Sequence, residues 1–273
     1  MLRAVLMTTA VATALTAMAF AQSRDRGNQR PGRSSDASCS DGWNDRRASW
    51  CEIREATIPG LNPLEIDGGS NGGIHIRGWD RTDVLVRSKI MAHADTDADA
   101  RRIVAGVRID TAGGRVRADG PDTSRDENWS VSFDVQVPRT AMLTLSTRNG
   151  GISIDDFRGT AKFRAINGGV SLSNVGGDIQ GETTNGGVNV DLTGDRWDGA
   201  GLDVETHNGG VRMTLPEHYS AALETGTTNG RVSIDFPVTV QGGISRHITT
   251  TLGAGGAKLR AITTNGGVTI RHR

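Results

Sequence analysis

The feature that most constrains this chain is a recurring Asn-Gly corner. Asn-Gly-Gly stands at Asn71, Asn149, Asn167, Asn185, Asn208 and Asn265, and the variant Asn-Gly-Arg at Asn229. From Asn149 onward the intervals are 18, 18, 23, 21 and 36 residues. Self-similarity at about 20 residues marks an array whose copies bury their apolar faces against one another. The 36-residue interval has room for two copies, with a degenerate corner near Gly253-Ala254-Gly255-Gly256.

Each copy has the same grammar. Apolar residues fall three and five places after the Asn: Ile152 and Ile154, Val170 and Leu172, Val188 and Val190, Val211 and Met213, Val232 and Ile234, Val268 and Ile270. A spacing of two puts both side chains on one face of a strand. The intervening residues are polar, as in Ser153, Asn189 and Arg212. A second strand leads to the next corner, and Thr147, Thr183, Thr206, Thr227 and Thr263 each precede their Asn by two, which suits extended backbone. Asn-Gly predicts positive φ at the corner. Stacked corners could also align their Asn side chains into a hydrogen-bonded ladder. Tight type I′ turns would give an antiparallel meander instead. The second turns vary from Asp156-Phe157-Arg158-Gly159 to Gly194-Asp195-Arg196-Trp197-Asp198-Gly199, which favours coils that tolerate insertions at one corner. The fold expected is all-β: a β-solenoid, parallel β-helix-like, over residues 141–273.

Composition fits a thin core. Aromatic residues make up 4% and Gly numbers 37, too few large side chains for a thick one. The start of the chain reads as a signal peptide over 1–21: Arg3, an uncharged stretch from Ala4 to Met18, then Ala19-Phe20-Ala21. That stretch is too short and Thr-diluted for a transmembrane span, so none is expected after cleavage. Export to the periplasm or cell surface follows. Residues 22–38 carry no large apolar side chain and read as a disordered linker. Removing the signal leaves 30 basic and 31 acidic residues, a balance that argues against nucleic acid or an anionic membrane as partner. Cys39 and Cys51 are expected to pair, in an oxidising compartment, around Trp43 and Trp50.

Residues 39–140 read as an N-terminal β-rich cap region. Val131, Phe133, Val135 and Val137 alternate as a half-buried strand. Thr96-Asp97-Ala98-Asp99 has capping-box-like spacing before Ala100, Ile103, Val104 and Val107, which predicts a helix near 96–106.

These residues bring a resemblance with them. Asn71-Gly72-Gly73-Ile74 with Gly78-Trp79-Asp80, Val135-Gln136-Val137-Pro138, the Thr-x-Asn-Gly-Gly series and Leu252-Gly253-Ala254-Gly255-Gly256 together resemble the bacterial family of "putative adhesins" of unknown function. The resemblance covers most of the mature chain. It implies a β-solenoid-like head and an envelope location, and it has no catalytic residues to carry over.

The search for chemistry finds little. The six His residues sit in unlike contexts, no Gly-x-Ser-x-Gly elbow appears, and no cofactor or metal motif is present. Asp155, Asp191 and Asp235 each lie six after their Asn and could form an acidic stripe for Ca²⁺, though solvated strand-end acids are the simpler reading. Asp178, Glu182, Asp203 and Glu205, with Arg164 and Lys162, are the carboxylates and cations a polysaccharide lyase or hydrolase would need. Trp79 and Trp129 read as core or cap residues; Trp197, in the longest corner loop, is the one aromatic marked as a ligand contact. The expectation is therefore a non-enzymatic exported envelope protein that binds an envelope polysaccharide or surface protein. A carbohydrate-active enzyme and an envelope-stress or signalling component binding another protein are the alternatives. The sequence leaves the oligomeric state open.

Overall fold

The computed structural model describes Cys39, residues 47–235 and residues 246–273. Residues 1–21, read above as a signal peptide, residues 22–38, read as a linker, and Trp43 lie outside the described residues. None of the helices among the described residues is long and apolar enough to cross a membrane.

The chain is mostly strand. The N-terminal region supplies β1 (Ala48–Pro59), β2 (Leu64–Asp67), β3 (Ile74–Trp79), β4 (Asp83–Ala94), α1 (Asp97–Gly106), β5 (Arg108–Asp110), β6 (Arg115–Asp119) and β7 (Asn128–Pro138). The repeats supply β8 (Met142–Asn149), β9 (Ile152–Asp155), β10 (Thr160–Asn167), β11 (Val170–Ser173), β12 (Asp178–Asn185), β13 (Val188–Asp191), β14 (Gly201–Asn208) and β15 (Val211–Leu215). After these come β16 (Ala221–Asn229), β17 (Val232–Ile234), β18 (His247–Leu252), β19 (Lys258–Asn265) and β20 (Val268–His272). Among the described residues they form two sheets, one ordered β1-β4-β7-β3-β9-β11-β13-β15-β20-β17 and the other β18-β16-β19-β14-β12-β10-β8-β2-β6-β5.

Each Asn corner joins a strand of one sheet to a strand of the other, and the pairings between copies are parallel and in register. The inward aliphatics form two rows along the stack; Ile154, Leu172, Val190 and Met213 are all buried. Burying a Val, Leu or Ile side chain contributes about 1.5–3 kcal/mol, so the rows supply the main driving force. The ladders cross residue 140 without a break, since β2 pairs with β8 and β3 with β9. Asn71 therefore takes the corner position of the first coil.

Local signals account for the helix. Thr96 caps it by accepting from the Asp99 backbone N–H at 3.1 Å, and Ala100, Ile103 and Val104 face the core. No basic residue occupies its last turn. Arg54 of β1 compensates by donating to the carbonyls of Val104, at 2.9 Å, and Val107. Cys39 and Cys51 are disulfide-bonded.

Two expectations are corrected. Among the described residues the 36-residue interval shows no second coil: β18 runs antiparallel on the outer edge of β16, and Gly253–Gly256 turns the chain into β19. Positive φ is not what the Asn-Gly corners in general need either, Gly266 at φ 158° being the exception. The left-handed non-glycine residues are Asp156, φ 55°, and Asn174, φ 50°, both at the opposite corner. The first Gly of each Asn-Gly pair is required sterically. A Cβ at Gly168 would lie 1.9 Å from the Gly150 carbonyl oxygen, and one at Gly186 2.1 Å from that of Gly168.

Candidate functional site

The stacked corners carry a continuous amide ladder. Asn149 Nδ2 donates to Asn71 Oδ1 at 3.0 Å, Asn167 to Asn149 at 2.8 Å, Asn185 to Asn167 at 2.8 Å and Asn208 to Asn185 at 2.9 Å. It continues through Asn265 to Asn208 at 2.9 Å and Asn229 to Asn265 at 2.8 Å. Beneath it runs a second row that the strand preference of Thr did not reveal. The hydroxyls of Thr147, Thr183, Thr206, Thr263 and Thr227 face inward and donate to the first-Gly carbonyl of a neighbouring coil, at 2.6–2.8 Å. The signal was the constant two-residue spacing from Asn. Its meaning needs the neighbouring coil.

At the Asn71 end of this ladder the surface opens into a groove of about 740 Å³, bounded by the Asp67–Asn71 corner, the end of β6, the 120–123 loop and the start of β7. Its chemistry comes from Asp67, Arg117, Asp119, Asp122, Asn128 and Trp129. Asp67 is oriented by the Gly69 backbone N–H at 2.9 Å and the Ser146 hydroxyl at 3.2 Å. Arg117 lies 3.6 Å from Asp119 and 3.5 Å from Asp110. Trp129 is fixed by an indole N–H donated to the Pro121 carbonyl at 3.0 Å. Gly120 lies against its ring, where a Cβ would sit 2.6 Å from Cε2 and Cζ2. A shallower hollow of about 270 Å³, bounded by Ser146, Arg148, Arg164 and Ile166, adjoins it across Asp67, Gly69 and Ser70. Three carboxylates against one guanidinium give the larger groove a negative balance. It offers acceptors for hydroxyl or ammonium groups and an indole for an apolar ring face.

The residues marked from sequence are placed elsewhere. Trp197 is 5% exposed and donates its indole N–H to the Gly177 carbonyl at 2.9 Å, so it packs in the core and offers no face to a ligand. Glu182 lies 3.2 Å from Arg164, while Asp203 and Glu205 lie 2.6 and 3.4 Å from Arg260. Asp178 accepts from Gln180 at 3.0 Å. These are members of ion and amide rows along a sheet face. Asp155, Asp191 and Asp235 share one outward row but are separated in it by Ser173, Thr214 and Arg271. Among the described residues no cluster of His, Cys, Asp or Glu is arranged to hold a metal ion.

One titratable cluster lies on the outer face of the other sheet. His75 Nε2 is 2.7 Å from Asp155 Oδ2, and its Nδ1 is 3.3 Å from Asp134 Oδ1. Asp134 and then Asp155 raise the imidazole to about 9 against the opposing effect of burial. His75 is thus a cation at neutral pH, an ion-pair member and not a general base.

Comparison with known proteins bears on the fold. The Toastrack DUF4097 family profile matches residues 128–271. Among curated proteins no match is found. The chain is similar in structure to a "putative cell adhesion protein" from Clostridium sporogenes, at 10% identity and TM-score 0.41, covering 81% of this chain and 100% of that one. It is also similar to a "putative adhesin" from Bacteroides fragilis, at 12% identity, TM-score 0.32 and coverage of 81% and 97%. A "Putative lipid binding protein" from Parabacteroides distasonis gives 9%, 0.32 and coverage of 81% and 96%. The profile match spans more than half of the sequence and includes every coil from Asn149 to Asn265 as well as the β7 strand that flanks the groove. On that ground, the chain belongs to the Toastrack DUF4097 family.

Proposed function

We propose that this protein is an exported, non-enzymatic binding module of the cell envelope, a β-solenoid-like stack whose Trp129 groove holds a neutral polysaccharide. The observation that carries the reading is the groove itself. A pinned indole stands beside carboxylates that accept from sugar hydroxyls, and their negative balance disfavours anionic chains. Export is supported by the Arg3, Ala4–Met18 and Ala19-Phe20-Ala21 pattern and by the Cys39–Cys51 disulfide. A rigid stack holds the groove in one shape, which lowers the ordering cost of binding.

Calorimetric titration with neutral and anionic envelope oligosaccharides tests this. Trp129→Ala is expected to weaken binding of a neutral glycan about tenfold or more. The pair Asp119→Asn with Asp122→Asn should weaken it further without unfolding the chain. Equal affinity in all variants, or binding of anionic glycans alone, would sink the proposal. Glycan turnover lost on Asp203→Asn would replace a binding module with an enzyme.

A further inference from the structure

The coils are not stacked in chain order. The Asn265 coil, made of β19 and β20, lies between the Asn208 coil and the Asn229 coil, although both precede it in sequence. Three features place the Asn229 coil outermost. Arg260 of β19 stands opposite both Asp203 of β14 and Glu224 of β16. Its guanidinium lies 2.6 Å from Asp203, 3.4 Å from Glu205 and 3.7 Å from Glu224, while Lys258 lies 2.6 Å from Glu224. Chain-order stacking with the corners aligned would set Glu224 directly against Asp203, a like-charge pair.

The second feature is Arg231, which replaces the second Gly of the motif. In the interior coils a Cβ at that position would meet the next coil's carbonyl oxygen, at 3.3 Å for Gly169, 3.2 Å for Gly187 and 3.1 Å for Gly210. Arg231 has no such neighbour among the described residues because its coil ends the stack. Third, β18 pairs with the edge of β16 that chain-order stacking would give to another coil.

The slot therefore selects its occupant by side chains, not by chain connectivity. The occupant contains no cysteine, and the disulfide joins Cys39 and Cys51 in another part of the chain, so no disulfide ties the segment into the slot. We propose that β19 and β20 of a second copy of this chain can also fill the slots between β14 and β16 and between β15 and β17, with its β18 on the outer edge of β16, so that two copies close each other's stacks by exchanging this coil. The acid rows of Asp203, Glu205 and Glu224 recognise Arg260 and Lys258 of the partner as they do their own. The interaction is self-complementary and two-fold.

The full chain, unfolded and refolded at high concentration, should yield a dimer by light scattering that low-concentration refolding does not. A monomer at every concentration overturns the proposal. Exchange is separated from other dimerisation by Thr214 and Arg271, which stand opposite each other on β15 and β20 and take no part in the charge network. Thr214→Cys and Arg271→Cys variants refolded together should form a disulfide joining the two variants. Dimers without that bond overturn it. In the same mixture Arg260→Glu should cut the yield of cross-chain disulfide about fivefold, with Arg260→Gln falling between. An unchanged yield overturns the charge selection.

Discussion

The two corners of each coil solve the same problem differently. At the Asn-Gly corner adjacent coils approach until no side chain fits between them, and every copy but the outermost, Asn229-Gly230-Arg231, has the same three residues. The opposite corner also keeps a tight glycine, with a Cβ at Gly177 falling 2.0 Å from the Gly159 carbonyl oxygen, but its tip varies freely. Asp156 and Asn174 take left-handed backbone there, and the Asn185 coil adds an insertion whose Gly194, φ 79°, has open space around it. The difference teaches that the Asn-Gly motif repeats one contact between coils at every layer, whereas the other corner meets its neighbour through contacts that change along the stack, such as Asn174 Nδ2 donating to Asp156 Oδ1 at 2.6 Å. A contact shared by every layer tolerates no exceptions inside the stack.

Substitution of corner glycines should break the comparison most sharply. Gly168→Ala forces a Cβ onto the Gly150 carbonyl and is expected to cost about 3 kcal/mol or more in chemical denaturation. Gly194→Ala meets no atom and carries only left-handed strain, about 1 kcal/mol. Equal losses would show that the two corners do not differ in the way described.

The outer sheet face adds a pH-dependent contribution that neither corner has. His75 is raised from 6.5 to about 9 on folding, so its contribution is complete below pH 6.5 and is lost as pH rises through 9. Allowing for solvent screening, about 2 kcal/mol should disappear between pH 6 and 9.5. The urea midpoint should fall over that range in the wild type and stay level in His75→Gln. A midpoint independent of pH in the wild type would remove the ion cluster from the account.

Smaller effects grade the corner itself. Thr183→Val keeps shape but leaves the Gly168 carbonyl without its hydroxyl donor, and should cost about 1–2 kcal/mol. Asn185→Ala interrupts the amide ladder on both sides, for about 1 kcal/mol. Asn229→Ala, at the end of the ladder, removes one amide bond and should cost about half as much. A larger loss at Asn229 than at Asn185 would contradict a ladder of equivalent steps.

Much of the architecture was legible because it is written in short-range patterns. Spacing of two in Ile152 and Ile154, or Val188 and Val190, names inward residues without knowledge of the fold. The Thr96 cap and the apolar face of α1 lie together within residues 96–104. The groove was less legible. Asp67 stands 52 residues before Asp119 and 62 before Trp129, and no periodicity links it to them. Trp197 was misplaced because a long corner loop suggests exposure, while the indole reaches back to hydrogen-bond Gly177 in the preceding coil. His75, Asp134 and Asp155 come from three strands whose adjacency depends on how the first coil meets β7 and β9.

By itself the sequence determined that this chain forms layered strands, that small aliphatics face inward, and that the Asn residues recur in phase. These properties follow from local spacing, which backbone geometry converts directly into faces and corners. Only the tertiary structure decided the order of the last coils and the shape of the groove. Coils with one grammar can stack in any sequence, and the choice rests on which charges and bare carbonyls meet across the gap. Glu224, Arg231 and Arg260 carry that information, but it acts only between residues that the register has brought face to face.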